Sequence, residues 1–181
     1  MTQTQNAPQT PGGPQTPDGR SRTFGWTDPA EHAARLGASS GLELLRAMAA
    51  GELPPPPIMQ LIDMDGMDVE DGAVTVYLEP KEFHYNPLGT VHGGILSTLL
   101  DTAAACSVHS TLPAGVAYTS LDLNVKFLRP VTTASGRLRC AGTVLQGGRR
   151  TALAEARLTD AAGRLVAHAT SSCLIFPVPA A

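Results

Sequence analysis

Asp101 is the side chain in this sequence that most needs a reason to be where it is. It stands in HGGILSTLLDTAAACSVHS, where Ile95, Leu96, Leu99, Leu100, Ala103, Ala104 and Val108 cover most of a helical circumference for about four turns. A carboxylate in such surroundings costs several kcal/mol unless it is hydrogen-bonded or protonated. No Lys or Arg occurs between Lys81 and Lys126, so the local sequence offers no counter-charge. An acid kept under those terms is a candidate general base or nucleophile. The bland alternative is a capping or water-facing Asp. Against it, Thr90, Gly94, Ser97 and Asp101 fall on one i, i+4, i+7, i+11 stripe, a narrow polar groove that a thin ligand fits.

A second chemical element lies at the predicted helix start. Gly93 and Gly94 place unpaired backbone N–H groups at the positive end of the helix dipole, with no Cβ to hold a ligand off. Such a place suits a developing oxyanion, and one donor of this kind is worth ~3 kcal/mol in rate. Eight residues separate Gly93 from Asp101, which is roughly 12 Å along a helix axis. The Asp side chain leans back toward the N-terminus by only a few ångströms, and productive contacts need ~3 Å to each partner. If both groups act on one carbonyl, two antiparallel helices must meet across a twofold axis and share the site.

The elements that must position these groups follow from pattern. Residues 1–22 are a Gln, Thr, Pro and Gly mixture expected to be disordered. Residues 23–57 form a leader. Thr27-Asp28-Pro29 caps a helix with Glu31 completing a capping box, Leu42 to Met48 form a second short helix ending at Gly51, and Pro54 to Pro57 make a stiff spacer. A single domain spans 58–176, and 177–181 are a tail. Within it, strands are expected over Met59 to Val69 and Ala73 to Leu78. The long helix comes next. After it, Val116 to Leu128 reads as one long strand with Leu121, Leu123, Val125 and Phe127 on its inner face, so Thr119 points its hydroxyl at the helix by parity. Gly136 to Leu145 and Arg150 to Thr159 form a hairpin about Gly147-Gly148, and Leu165 to Phe176 is the last strand. The predicted fold is α+β, an antiparallel sheet curled around one buried helix.

Composition narrows the function. Hydrophobic residues make up 43% of the chain but aromatic ones only 4%, so Ala, Val and Leu must fill the core. A net charge of −3 gives no general basic surface for nucleic acid or membrane. Cys106, Cys140 and Cys173 are odd in number and set in apolar contexts, as reduced core residues of an intracellular protein are. The start MTQTQNAPQT has neither a basic nor an apolar stretch, and no run approaches a membrane span. A soluble, cytoplasmic protein is expected. Asp63, Asp65, Asp68, Glu70 and Asp71 lack the twelfth-position Glu of a calcium loop, where Val74 stands, and read as a solvated turn. No histidine pair has zinc spacing.

Taken together, Asn86, the His92-Gly93-Gly94 triplet, Asp101 nine residues beyond His92, and Thr119 on the next strand resemble the hotdog-fold acyl-CoA thioesterases, nearest their PaaI-like branch. The resemblance runs from about Gly41 to Phe176 and includes Phe127-Leu128-Arg129-Pro130 and Gly148-Arg149-Arg150. It implies dimers of hotdog protomers, usually paired into tetramers, acting on acyl-CoA without metal or cofactor. By matching position, Asp101 is the base or nucleophile, the Gly93 N–H polarises the thioester carbonyl with Asn86 beside it, and Thr119 helps hold the water. A thioester is activated enough for a carboxylate and an oxyanion hole to suffice. Ala105 stands where some relatives carry a hydroxyl.

His92, half a turn from Asp101 on the wheel, suits a supporting role; Gly94 and Ser97 line the substrate groove. Arg149 and Arg150 are either a solvated hairpin tip or contacts for CoA phosphates, with Lys126 and Arg129 as weaker phosphate candidates. Two rivals stay open. Asn86-Pro87-Leu88 resembles part of a hotdog hydratase motif, but Cys106 stands where that motif has His. A non-catalytic acyl-CoA sensor would use the same groove.

Overall fold

The computed structural model describes residues 19–30, 35 and 38–178. The elements in chain order are α1 (Gly41–Ala49), α2 (Pro57–Leu61), β1 (Met64–Glu70), β2 (Ala73–Leu78), α3 (Gly93–Ser110), β3 (Val116–Ser120), β4 (Asn124–Phe127), β5 (Leu138–Gly147), β6 (Thr151–Thr159) and β7 (Leu165–Pro177). The strands form one antiparallel sheet in the order β1-β2-β5-β6-β7-β3, with β4 also paired to β7.

The sheet curls around α3, which packs most extensively against β5, β6, β2 and β7. From Leu96 onward α3 is buried on most sides, with Leu99, Leu100, Ala103, Ala104 and Val108 fully enclosed. Small residues on the sheet make this close wrapping possible. Along β6, Ala152, Ala154 and Ala156 alternate inward with Leu158. On β5 a Cβ at Gly142 would lie 2.1 Å from the Ala103 carbonyl oxygen, so only glycine admits the helix there. Ser107, also buried, receives the Val74 N–H at 3.0 Å and donates to the Ala103 carbonyl at 2.8 Å. A core of Ala, Val and Leu is thus what a helix inside a tightly curled sheet requires.

The leader is joined to this core. Ser40 and Glu43 cap α1 reciprocally, Ser40 Oγ accepting from the Glu43 N–H and Glu43 Oε2 from the Ser40 N–H. Leu45 of α1 is fully buried in the common core, and the Gly41 N–H donates to the Leu112 carbonyl at 3.0 Å. Asp28 accepts from the Ala30 N–H at 2.9 Å, as a capping Asp does. Its expected partner Glu31, and residues 1–18 of the expected disordered tail, lie outside the described residues.

Three expectations are corrected. Met59 to Val69 is not one strand: Pro57 opens α2 at its first turn, where a missing N–H costs nothing, and the strand begins at Met64 after Asp63 turns with φ +62°. The acidic cluster is no solvated turn either. Asp65, Asp68 and Glu70 lie on β1, Asp65 is bidentate to Arg137, and Asp68 accepts from the Tyr77 hydroxyl at 2.6 Å. Finally, Val116 to Leu128 is broken. Ser120 pairs with Cys173 and Asn124 with Thr170, so four residues advance on one strand against three on its partner. The extra residue is a bulge, and it reverses which side chains face inward.

Candidate active site

Asp101 sits midway along α3, half-buried, and its Oδ1 accepts a hydrogen bond of 2.9 Å from Ser120 Oγ. It lines an open groove of about 330 Å³ together with Ser97, Thr98, Ser120, Leu121, Asp122 and Leu123. The groove is built by the strand break. Asp122 pins the bulge to β7, its Oδ1 accepting from the Ser172 N–H at 3.1 Å and its carbonyl from Ser171 Oγ at 2.8 Å. That anchoring turns Ser120 toward the helix.

Thr119 is the residue this displaces. Its side chain is exposed on the outer face of the sheet and makes no contact with Asp101 of its own chain, contrary to the parity expectation. The alternation counted back from Phe127 crosses the bulge and so arrives at the wrong residue. Ser120 carries the hydroxyl that meets the acid.

The other half of the chemistry lies at the start of α3. His92 is the N-cap, and its ring Nδ1 accepts the Gly94 N–H at 2.9 Å. The imidazole is therefore exposed and engaged in capping, and does not reach the acid. The His92 N–H donates to the His84 carbonyl at 2.8 Å, and the Ile95 N–H to the His92 carbonyl at 2.9 Å. Among the described residues none accepts from the Gly93 N–H. Gly93 lines a second cavity, of about 370 Å³, between Thr90, Leu96 and the chain from Phe127 to Val131. The Phe127 ring abuts it so closely that a Cβ at Gly93 would lie 3.1 Å from Phe127 Cζ.

Asn86 shapes the loop that leads in. Its Oδ1 accepts from the Leu88 N–H at 2.9 Å and the Thr90 N–H at 3.3 Å, while Nδ2 donates to Thr90 Oγ1 at 3.1 Å. The expected Thr90–Gly94–Ser97–Asp101 stripe divides here, because the helix begins at Gly93. Thr90 belongs to the loop and to the Gly93 cavity, Gly94 is exposed at the first turn, and Ser97 lies with Asp101. Within one protomer the acid and the free N–H line different cavities.

Arg149 and Arg150 are exposed beside a third hollow of about 380 Å³, walled by Val116 and residues Leu174 to Pro177. They touch neither Asp101 nor Gly93. Ala105 is buried in the core.

The other buried or partly buried titratable groups are poor nucleophiles or bases. Burial pushes the Cys106 thiol up to about 12, and it likewise raises Cys140, Cys173 and the Tyr118 phenol. Burial lowers His84 and His109, keeping both neutral near pH 7. No group of three or more His, Cys, Asp or Glu side chains among the described residues is arranged to hold a metal ion. No helix among them is long and apolar enough to cross a membrane.

Sequence pattern alone does not mark Ser120, Asp122 or Phe127 as site residues. Ser120 follows Thr119 directly, and only the register on β7 tells which of the two turns inward.

Comparison with known proteins gives this geometry a family. The Thioesterase superfamily model matches residues 88–167. Human acyl-coenzyme A thioesterase 13 is 31% identical over 98 residues, covering 54% of this chain and 69% of that relative. The chain spans about two thirds of the length of the curated relatives it matches. A phenylacetic acid degradation-related protein of Ralstonia eutropha JMP134 has a solved structure that is 31% identical, with TM-score 0.65, over 72% of this chain and 98% of that one. The Escherichia coli PaaI protein, 20% identical with TM-score 0.66 over 77% of this chain and 100% of that one, shares the fold. A helix held inside a curled antiparallel sheet, and a sequence match that contains that helix, lead to one assignment: the chain belongs to the thioesterase superfamily and is a hotdog-fold, PaaI-like thioester hydrolase.

Proposed function

We propose that the protein is an acyl-CoA thioesterase whose active site is shared by two protomers. Asp101 of one acts as general base or nucleophile, and the Gly93 N–H of the other polarises the thioester carbonyl. The observation that carries this reading is the separation within one chain. A half-buried acid held by Ser120 opens on one groove, while the Gly93 N–H opens on another.

The roles divide by contact. Ser120 fixes one carboxylate oxygen, leaving the other for water or substrate. His92 holds the first turn of α3 and so aims the Gly93 N–H, and Asn86 holds the loop whose amide flanks it. Thr119, facing outward, can serve only a site completed by a partner. Arg149 and Arg150 are assigned to the CoA phosphates, for which a guanidinium is well suited. No cofactor is needed, and a cytoplasmic dimer or dimer of dimers is the expected form.

The test is CoA release from a panel of acyl-CoA thioesters, followed with a thiol reagent. Asp101→Asn keeps the side-chain shape and removes the base, so kcat falls by at least about a hundredfold. Release unchanged in that variant would overturn the assignment. Tight binding of acyl-CoA without release by the wild type would favour a sensor.

A further inference from the structure

The geometry points to the hollow beneath Phe127 as the acyl-group subsite, with the Phe127 ring excluding acyl chains branched at the carbon next to the carbonyl. This rests on the reading of Gly93 as the carbonyl-polarising group.

A thioester carbonyl held by the Gly93 N–H must send one of its two substituents into the cavity that Gly93 lines. That cavity, about 370 Å³, is at the small end of ligand pockets. Its walls are mainly apolar, from Val91, Leu96, Phe127, Leu128 and Val131. Its two polar side chains each have a partner within the chain. Thr90 Oγ1 exchanges hydrogen bonds with the Asn86 amide, and the Arg129 guanidinium donates to the Leu165 carbonyl. The pantetheine arm carries two amides, which cost more to take out of water against mainly apolar walls than an acyl group does. The acyl side is therefore the substituent that fits.

Phe127 then stands at the neck. Its Cζ is the atom nearest the Cβ position of Gly93, at 3.1 Å, with Cε1 and Cε2 both at 3.5 Å, so the tip of the ring points at the glycine. The backbone that carries the ring is held in the sheet: Phe127 pairs with Ala167, and the Leu128 N–H donates to the Val166 carbonyl at 2.9 Å. Atoms bonded to a carbonyl held at Gly93 must pass beside this tip. A methylene passes; a second carbon substituent on the same atom meets the ring.

Butyryl-CoA and 2-methylpropanoyl-CoA contain the same atoms and differ only in that branch. The wild type should prefer butyryl-CoA in kcat/KM by about tenfold or more, the discrimination one misplaced methyl group commands. Phe127→Ala should bring the ratio within about threefold of unity, and Phe127→Leu, which keeps branched bulk at the neck without lengthening it, should retain part of it. Thermal unfolding of both variants checks that the ratio is read on folded protein. A wild type without preference, or a preference that survives Phe127→Ala, overturns the acyl-subsite assignment while Asp101→Asn still abolishes release. If wild type and Asp101→Asn release CoA from butyryl-CoA equally, the thioesterase reading falls and this assignment with it.

Discussion

At the scale of single residues, Asp101 is tolerated inside an apolar helix because one hydroxyl from elsewhere in the chain meets it. Ser120 donates to it at 2.9 Å across a sequence separation of 19 residues. A hydrogen bond to a charged group contributes about 1.5–3 kcal/mol, so Ser120→Ala should lower kcat by about ten- to a hundredfold if the acid works only in the held orientation. KM should change little, and Ser120→Thr, which keeps the hydroxyl, should restore much of the loss. Steady-state kinetics on an acyl-CoA substrate would check both, and an unaffected kcat in Ser120→Ala would remove Ser120 from the mechanism. The acid itself was legible in the sequence from its apolar neighbours and missing counter-charge. Its partner was not, because choosing between Thr119 and Ser120 needs the register on β7.

At the scale of elements, the long helix, β2 and the β5–β6 hairpin are legible because side-chain period and turn residues agree there. The break between β3 and β4 is hidden because Leu121, Leu123, Val125 and Phe127 alternate straight through it. Only Leu123 and Val125 of these face the core, and Leu121 and Phe127 are more than half exposed, at 58% and 53%. A bulge cannot be seen in hydrophobic alternation when apolar residues sit on both sides of it. Likewise Met59 lies in a helix because Pro57 and the turn at Asp63 fix the local backbone, which the apolar pattern alone does not report. The fit of α3 into the sheet gives the element-scale prediction. A methyl group at Gly142 would meet the Ala103 carbonyl oxygen at 2.1 Å and Ser107 Oγ at 2.7 Å, both held in the helix. Gly142→Ala should therefore destabilise the fold by about 1–3 kcal/mol or more, since neither the helix backbone nor the paired strand can retreat freely. Denaturant unfolding would measure it, and a change within about 0.5 kcal/mol would show that the helix sits less tightly than described.

At the scale of the whole molecule, the question is whether the two halves of the site come from two chains. Subunit mixing answers it. Asp101→Asn removes the acid, and Gly93→Pro removes the N–H at the first helical position, where proline's backbone is tolerated. Each homodimer should be inactive. In a mixed dimer, the proline-bearing chain supplies an intact Asp101 to the intact Gly93 of its partner, so one of the two sites is complete. Random exchange after unfolding and refolding of an equal mixture makes half of the dimers mixed, and activity should recover to about one quarter of the wild-type value. If acid and N–H instead served one carbonyl within a single chain, no mixed dimer would hold a complete site and activity would stay at the level of the parents. The same outcome would follow if the chain acted as a monomer, which the size-exclusion profile of the mixture distinguishes. Recovery to about a quarter thus requires both association and exchange of groups across the interface, and no arrangement confined to one protomer produces it.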